Sequence, residues 1–302
     1  PETTMAGLHR PGPDPVVLGG QRRGGQKCGW RDSSSVHVVL ALGDCPDDTP
    51  ALRAAGVWRQ RRVIREHALS ILALATFSVA AFNSLLYFAA VTTTATNIAL
   101  INATIPIMVA LLAWLLLGDR TRPIQALGIG LAVLGILAVV ARGDLSVLTG
   151  LRAQPGDLIM VLAVSSWGLF SVLLRRQAVP LPPLTFLTVQ IACGTMVILP
   201  FFLVDLLFFS GGFELNASTA LPMMYFAIFP GILAYAFWNH GVHRIGPAKA
   251  AIFMYLTPVF ASVMAGIFLG ERLGLFHVIG GLLILAGLFL ATRTTELRRK
   301  YR

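Results

Sequence analysis

From His67 onward the chain is a succession of eight apolar runs: Ala68–Ala90, Thr96–Leu117, Ile124–Ala141, Leu158–Leu174, Leu184–Phe209, Ala220–Gly241, Ala248–Leu269 and Leu275–Thr292. At about 1.5 Å per residue, some 20 residues of helix cover the roughly 30 Å of a bilayer's hydrocarbon. A water-soluble domain of this length has no core large enough to hide so many such runs. Lipid offers no partner to an open backbone N–H or C=O, so each run is expected to be helical. Turn and breaker residues separate the runs, as in Gly118-Asp119-Arg120, Pro180-Leu181-Pro182-Pro183, Ser210-Gly211-Gly212 and Gly246-Pro247. Successive helices are therefore antiparallel neighbours, and the expected fold class is all-α and polytopic.

Hydrophobic residues make up 56% of the sequence and charged ones 13%, with a mean hydropathy of +0.74. The net charge of +10 is spread in short clusters between apolar runs rather than over one exposed face. That distribution argues against nucleic-acid binding. It also sets an orientation, because cytoplasmic loops retain Lys and Arg. If Ala68 starts inside, then Arg59, Arg61, Arg62, Arg65, Arg120, Arg122, Arg175, Arg176, Arg244, Lys249, Arg293, Arg298, Arg299, Lys300 and Arg302 are inside, against Arg142, Arg152 and Arg272 outside. Fifteen against three, counted from those residues, predicts a cytoplasmic C-terminus. Cys28, Cys45 and Cys193 are isolated and imply neither a disulfide framework nor a zinc site. His240 and His243 are three apart but have no third ligand beside them in sequence, so no metal or cofactor is expected.

An internal repeat appears at an offset of 152 residues. It pairs Ala99 with Ala251, Pro106 with Pro258, Ala113 with Ala265, Leu117-Gly118 with Leu269-Gly270, Arg120 with Arg272, Gly128 with Gly280 and Gly135 with Gly287. Matched proline, glycines and an arginine exceed what low-complexity apolar sequence gives by chance. An odd number of spans separates the copies, so they lie in opposite orientations, the inverted-topology arrangement of secondary transporters. Extended backward, the repeat fails. The partners of Leu158–Leu174 and Leu184–Phe209 would fall near Ala6–Arg22 and Asp32–Val57, which carry several charges and prolines. Each charge near a helix centre costs about 2.5–3.5 kcal/mol, so neither is expected to span.

Polar residues inside spans mark a transport path, because lipid-facing positions penalise them. By this criterion the candidate substrate-binding residues are Asn83, Tyr87, Asn102, Trp167, Gln190, Tyr235, Asn239 and Tyr255, with Asn97 a further candidate. The structural alternative for each is interhelical hydrogen bonding at about 0.6 kcal/mol, or interfacial anchoring for Trp and Tyr. Pro106 and Pro258 stand midway along their runs, where a proline frees a carbonyl, and are candidate hinges. The pairs Gly128/Gly135 and Gly280/Gly287 sit two turns apart and are expected to let backbones approach. Asp205, near the outer end of its span, is a weak proton-coupling candidate.

The segment Phe237-Trp238-Asn239-His240-Gly241-Val242-His243-Arg244-Ile245-Gly246-Pro247-Ala248-Lys249-Ala250-Ala251, with Tyr255-Leu256-Thr257-Pro258-Val259-Phe260 and Leu269-Gly270-Glu271-Arg272, resembles the EamA-like family of the drug/metabolite transporter superfamily. A weaker copy runs from Thr94-Ala95-Thr96-Asn97 through Pro106 to Leu117-Gly118-Asp119-Arg120. The resemblance implies two inverted five-helix units, cytoplasmic termini, and a central cavity for small metabolites such as amino acids, often for export. The implied organisation is an atypical stretch over 1–66, three remaining helices of the first unit over 67–141, the complete second unit over 157–292, and a basic tail over 293–302.

Before His67 the chain departs from the family pattern, and the first two helices of the first unit are expected to be missing. A one-base shift of the codons for Val39–Asp44 can restore an apolar stretch, so out-of-frame translation is one reading and a disordered soluble extension the other. The expected function is secondary transport, with export favoured, of a small metabolite across a bacterial inner membrane. A transporter inactivated by loss of those helices is the alternative. A membrane-embedded enzyme is disfavoured, since no HExxH or paired intramembrane acids are present. The expected partners are a small-molecule substrate and the lipid bilayer, with a homodimer as a further assembly to consider.

Overall fold

In the computed structural model, the described residues are 56–144, 146–205, 207–208, 217–270 and 274–293. The expectations for residues 1–55, for the loop 209–216 and for the tail 294–302 lie outside them. All of the structure described below belongs to the unit Arg53–Arg302.

Among the described residues, eight helices are long and apolar enough to cross a membrane. They are α1 (Ala68–Thr92), α2 (Ala95–Leu117), α3 (Pro123–Ala141), α4 (Pro155–Gln177), α5 (Pro183–Val204), α6 (Ala220–Ile245), α7 (Pro247–Phe268) and α8 (Leu275–Thr292). These agree in number and order with the apolar runs, since hydropathy over 20 residues measures the same quantity the bilayer selects. Prolines at N1 or N2 open α3, α4 and the helix at Pro247, where the absent N–H would have no intrahelical partner anyway. Gly118 and Gly270, equivalent under the repeat, close α2 and α7 with φ of 72° and 67°. This left-handed conformation is open to glycine without penalty, which explains why the repeat retains it.

The inverted repeat is visible in the packing of α3 against α8. Gly128 faces Gly287 and Gly135 faces Gly280 so closely that a Cβ on Gly128 would lie 2.6 Å from the Gly287 carbonyl oxygen. A Cβ on Gly135 would lie 2.6 Å from the Gly280 carbonyl oxygen. Because the repeat maps Gly128 onto Gly280 and Gly135 onto Gly287, these two contacts are the same contact seen from either copy. A pseudo-twofold axis passes between them. Ile129, Ala132, Ile136, Ile284 and Ala291 fill the surrounding core together with Tyr255.

The second and larger core lies where α4 meets α1, α2 and α6. Of the eight spans, α4 buries the largest share of its residues, and its inward face alternates small residues (Ala163, Ser166, Gly168, Ser171) with Trp167 and Phe170. Beside it, α5 packs on α1. The positions that the repeat makes equivalent to α4 and α5 lie outside the described residues, and α6 is the least buried span.

Both candidate hinge spans are broken, although not at the prolines themselves. In α2 one helix ends at Asn102 and the next runs Ile105–Leu117; in α7 a 3-10 turn over Phe253–Leu256 precedes Thr257–Leu269. Pro106 and Pro258 occupy the first turn of the second half. A proline ring collides with the carbonyl four residues earlier, so the break falls near Asn102 and Met254 and the proline then starts a fresh helix. The expected mid-helix kink is thus a break one turn upstream.

Candidate functional site

The site is organised around an irregular stretch of α1. From Thr76 to Phe82 the helix widens into π-helical turns. At its start, Ser78 Oγ donates to the Leu74 carbonyl at 2.6 Å. A serine that bonds the carbonyl four residues back competes with the backbone N–H for it and loosens the turn. The carbonyls so exposed are taken up by side chains. Ser166 Oγ of α4 donates to Phe77 O at 2.7 Å, Tyr235 OH of α6 donates to Ser78 O at 2.9 Å, and Asn83 Nδ2 donates to Val79 O at 2.9 Å. Asn83 Nδ2 also donates to Tyr235 OH at 3.2 Å.

The equivalent stretch of α6, Ala227–Leu233, is π-helical too, beginning and ending within one residue of the position set by the repeat. Here Pro230 stands at the place of Ser78 and lacks an N–H altogether. Two different residues thus open the same turn. Single π turns in helices are frequent at functional sites.

Below Tyr235, Gln190 of α5 is fully buried. Its Nε2 donates to Ser78 Oγ at 2.9 Å, and its Oε1 accepts from Asn239 Nδ2 at 2.9 Å. Tyr235 and Asn239 are one turn apart on α6, which is why both face α5 and α1. Trp167 closes the cluster, with ring centroids 4.8 Å from Phe82, 5.1 Å from Trp238, 5.3 Å from Phe170 and 5.7 Å from Tyr235. Every member of the hydrogen-bonded set is neutral. Asn239 Oδ1 and the indole nitrogens of Trp167 and Trp238 are buried with no hydrogen-bond partner among the described residues. Buried polar groups are normally paired, so these three atoms are the cluster's open valences.

Of the residues singled out in the sequence, Asn83, Trp167, Gln190, Tyr235 and Asn239 come together here. Tyr87 does not: it is 65% exposed on α1. Asn102 ends the first half of α2, and Tyr255 sits in the core between α3 and α8 at 1% exposure; Asn102 Oδ1 and Tyr255 OH have no partner among the described residues. Asn97 has a structural position. Its Nδ2 donates to both carboxylate oxygens of Asp157 at 3.0 Å and to the Arg152 carbonyl at 3.1 Å, while Thr93 Oγ1 donates to Asp157 Oδ1. Asp157 in turn caps α4 through the Gln154 N–H, so this knot ties the α1–α2 turn to the start of α4. Ser78 and Ser166 were missed, because serine in a membrane helix commonly bonds its own backbone and signals little by itself. The repeat offers one clue to Ser78, in that it aligns with Pro230.

A separate groove of about 790 Å³ runs between α2 and α3, lined by Ile107, Leu111, Trp114, Ile129 and Val133 among others. It is open and apolar and contains none of the cluster residues.

Helices from both copies of an inverted repeat thus enclose a neutral polar cluster inside a bundle with eight membrane spans among the described residues, and the molecule is a multi-pass membrane protein of the carrier class. The profile of the EamA-like transporter family matches residues 49–141 and 154–293, and the chain belongs to that family. It is a transporter rather than an enzyme. It is 30% identical over 232 residues to the uncharacterized transporter YyaM of Bacillus subtilis, covering 76% of this chain and 74% of that one. It is 28% identical over 191 residues to a protein of Salmonella typhimurium named "Probable amino-acid metabolite efflux pump", covering 61% and 62% of the two chains. A crystal structure with 20% sequence identity superposes with a TM-score of 0.64 over 88% of this chain and 94% of its own, a likeness of fold.

Proposed function

We propose that the chain exports a small metabolite of the amino-acid type across the bacterial inner membrane, by alternating access between the two repeats. The observation that carries this reading is the buried set Ser78, Asn83, Gln190, Tyr235 and Asn239. It joins α1 of the first repeat to α5 and α6 of the second and leaves Asn239 Oδ1 and the Trp167 indole N–H unpaired. Substrate sites in inverted-repeat carriers lie at the interface of the repeats, near helices whose backbone is interrupted. The relative named as an amino-acid metabolite efflux pump supports the substrate class and the direction. The distribution of Lys and Arg supports a cytoplasmic C-terminus. Residues 67–141 and 157–292 serve as the two moving halves, and the breaks ahead of Pro106 and Pro258 serve as their hinges.

The test is efflux from cells loaded with labelled amino acids and expressing the full chain or its Asn239→Ala variant. Removing one partner of a buried hydrogen bond costs about 1–3 kcal/mol, or roughly 5- to 150-fold in affinity. The variant is expected to reach the membrane in normal amount and to lose most efflux. Equal efflux from both, or from cells with and without the chain, overturns the proposal.

A further inference from the structure

The hydrogen bonds through Ser78 have a fixed direction. The Leu74 carbonyl can only accept, so the Ser78 hydroxyl proton is committed to it at 2.6 Å. Toward Gln190, Ser78 Oγ can then only accept, which requires that Gln190 present its Nε2. That turns Gln190 Oε1 toward Asn239, which must present its Nδ2. Asn239 Oδ1 is what remains, an acceptor without a partner, 7% exposed as a residue. The orientation of two amides, ordinarily free to flip, is thereby set by one hydroxyl. Trp167, whose ring centroid lies 5.7 Å from that of Tyr235, is 8% exposed, and its indole nitrogen, which can only donate, has no partner among the described residues. Tyr235 itself is saturated, donating to Ser78 O and accepting from Asn83.

We propose that the site selects molecules carrying a hydrogen-bond donor, as α-amino acids do, by pairing that donor with Asn239 Oδ1. Ser78 is the positioning residue that sets this polarity through Gln190. The inference rests on the cluster being the substrate site and adds what that site requires of a substrate. Among the described residues no charged side chain contributes, so recognition depends on where the donor is placed rather than on net charge. A molecule of the same shape without the donor leaves Asn239 Oδ1 unpaired in a desolvated place. Sites built to pair a substrate's polar group reject analogues that lack it far more strongly than apolar pockets reject a missing methylene.

Three matched probe sets separate donor from charge: the twenty amino acids, their 2-hydroxy acids and their 2-oxo acids. The last two carry the same charge and differ in the donor. Binding is measured by isothermal calorimetry on the full chain in lipid nanodiscs. At least one side chain is expected to bind as amino acid and as hydroxy acid, with its oxo acid weaker by about 5- to 150-fold. In Ser78→Ala, Gln190 is freed to rotate and the difference between hydroxy and oxo acid should fall below about twofold; Ser78→Thr, which keeps the hydroxyl, should retain it. Oxo acids binding the unaltered chain as well as hydroxy acids would overturn the polarity while leaving the transport proposal standing. A gap that persists in a folded Ser78→Ala would remove Ser78 from the role. Absence of binding by all three classes would overturn this inference, whereas only the efflux assay speaks to export itself.

Discussion

Asn83 and Tyr235 are 152 residues apart in the sequence and 3.2 Å apart in the structure. They are the same position in the two repeats, so their hydrogen bond lies on the pseudo-twofold axis. A contact on that axis maps onto itself when the repeats exchange conformations. Under the proposed alternating access it is therefore a contact that would stay in place.

Tyr235→Phe is expected to remove this bond and the one to Ser78 O, leaving Asn83 without its cross-repeat partner. Transport should fall by about 5- to 150-fold with little change in membrane abundance. In combination with Asn83→Ala the losses should be less than additive, as for residues that share one interaction. Full additivity in efflux rates would mean that the two act separately.

The glycine contacts of α3 and α8 make a different prediction. A methyl group at Gly128 or Gly287 would overlap backbone of the facing helix, whereas one at Gly130 or Gly281 meets nothing within 4 Å. Gly128→Ala and Gly287→Ala should each destabilise the protein by about 1–3 kcal/mol, and Gly130→Ala should not. Melting curves of the detergent-solubilised variants distinguish the sets; equal melting temperatures would show that the helices part without penalty.

Asn97→Ala should behave as a folding variant. Its side chain holds Asp157 at the start of α4, and its hydrogen bonds go to Arg152 and Asp157 rather than to the polar cluster. Lower abundance is expected, with normal transport per molecule for what remains. A fully abundant but inactive Asn97→Ala would return this residue to the substrate path.

Orientation is open to a direct measurement. With the C-terminus inside, Ser218→Cys at the start of α6 should react with an impermeant thiol reagent in intact cells. Reaction only after lysis would invert the topology.

Much of this was legible in the sequence because two of the governing quantities are themselves sequence averages. Span positions follow from hydropathy, and the α3–α8 packing follows from glycines that recur at 152 residues. Five of the eight candidate binding residues converge because a polar side chain in a span must find a partner. Tyr87 shows where that reasoning stops. The repeat places it opposite Asn239, yet Asn239 is held by Gln190 of α5, and the position equivalent to Gln190 lies at residue 38, outside the described residues. Whether a polar group faces inward depends on its neighbours, which periodicity does not supply. The π turns were hidden for another reason: Ser78 and Pro230 share a position but no chemistry, so no identity marks them.

That last difference has a consequence for how the molecule moves. Ser78 keeps its backbone N–H, so the Thr76–Phe82 stretch lacks no backbone donor. Pro230, at the matching place, has none to offer. The two repeats are alike in shape and unequal in backbone donors, so under the proposed alternating access the two joints would not be equally stiff.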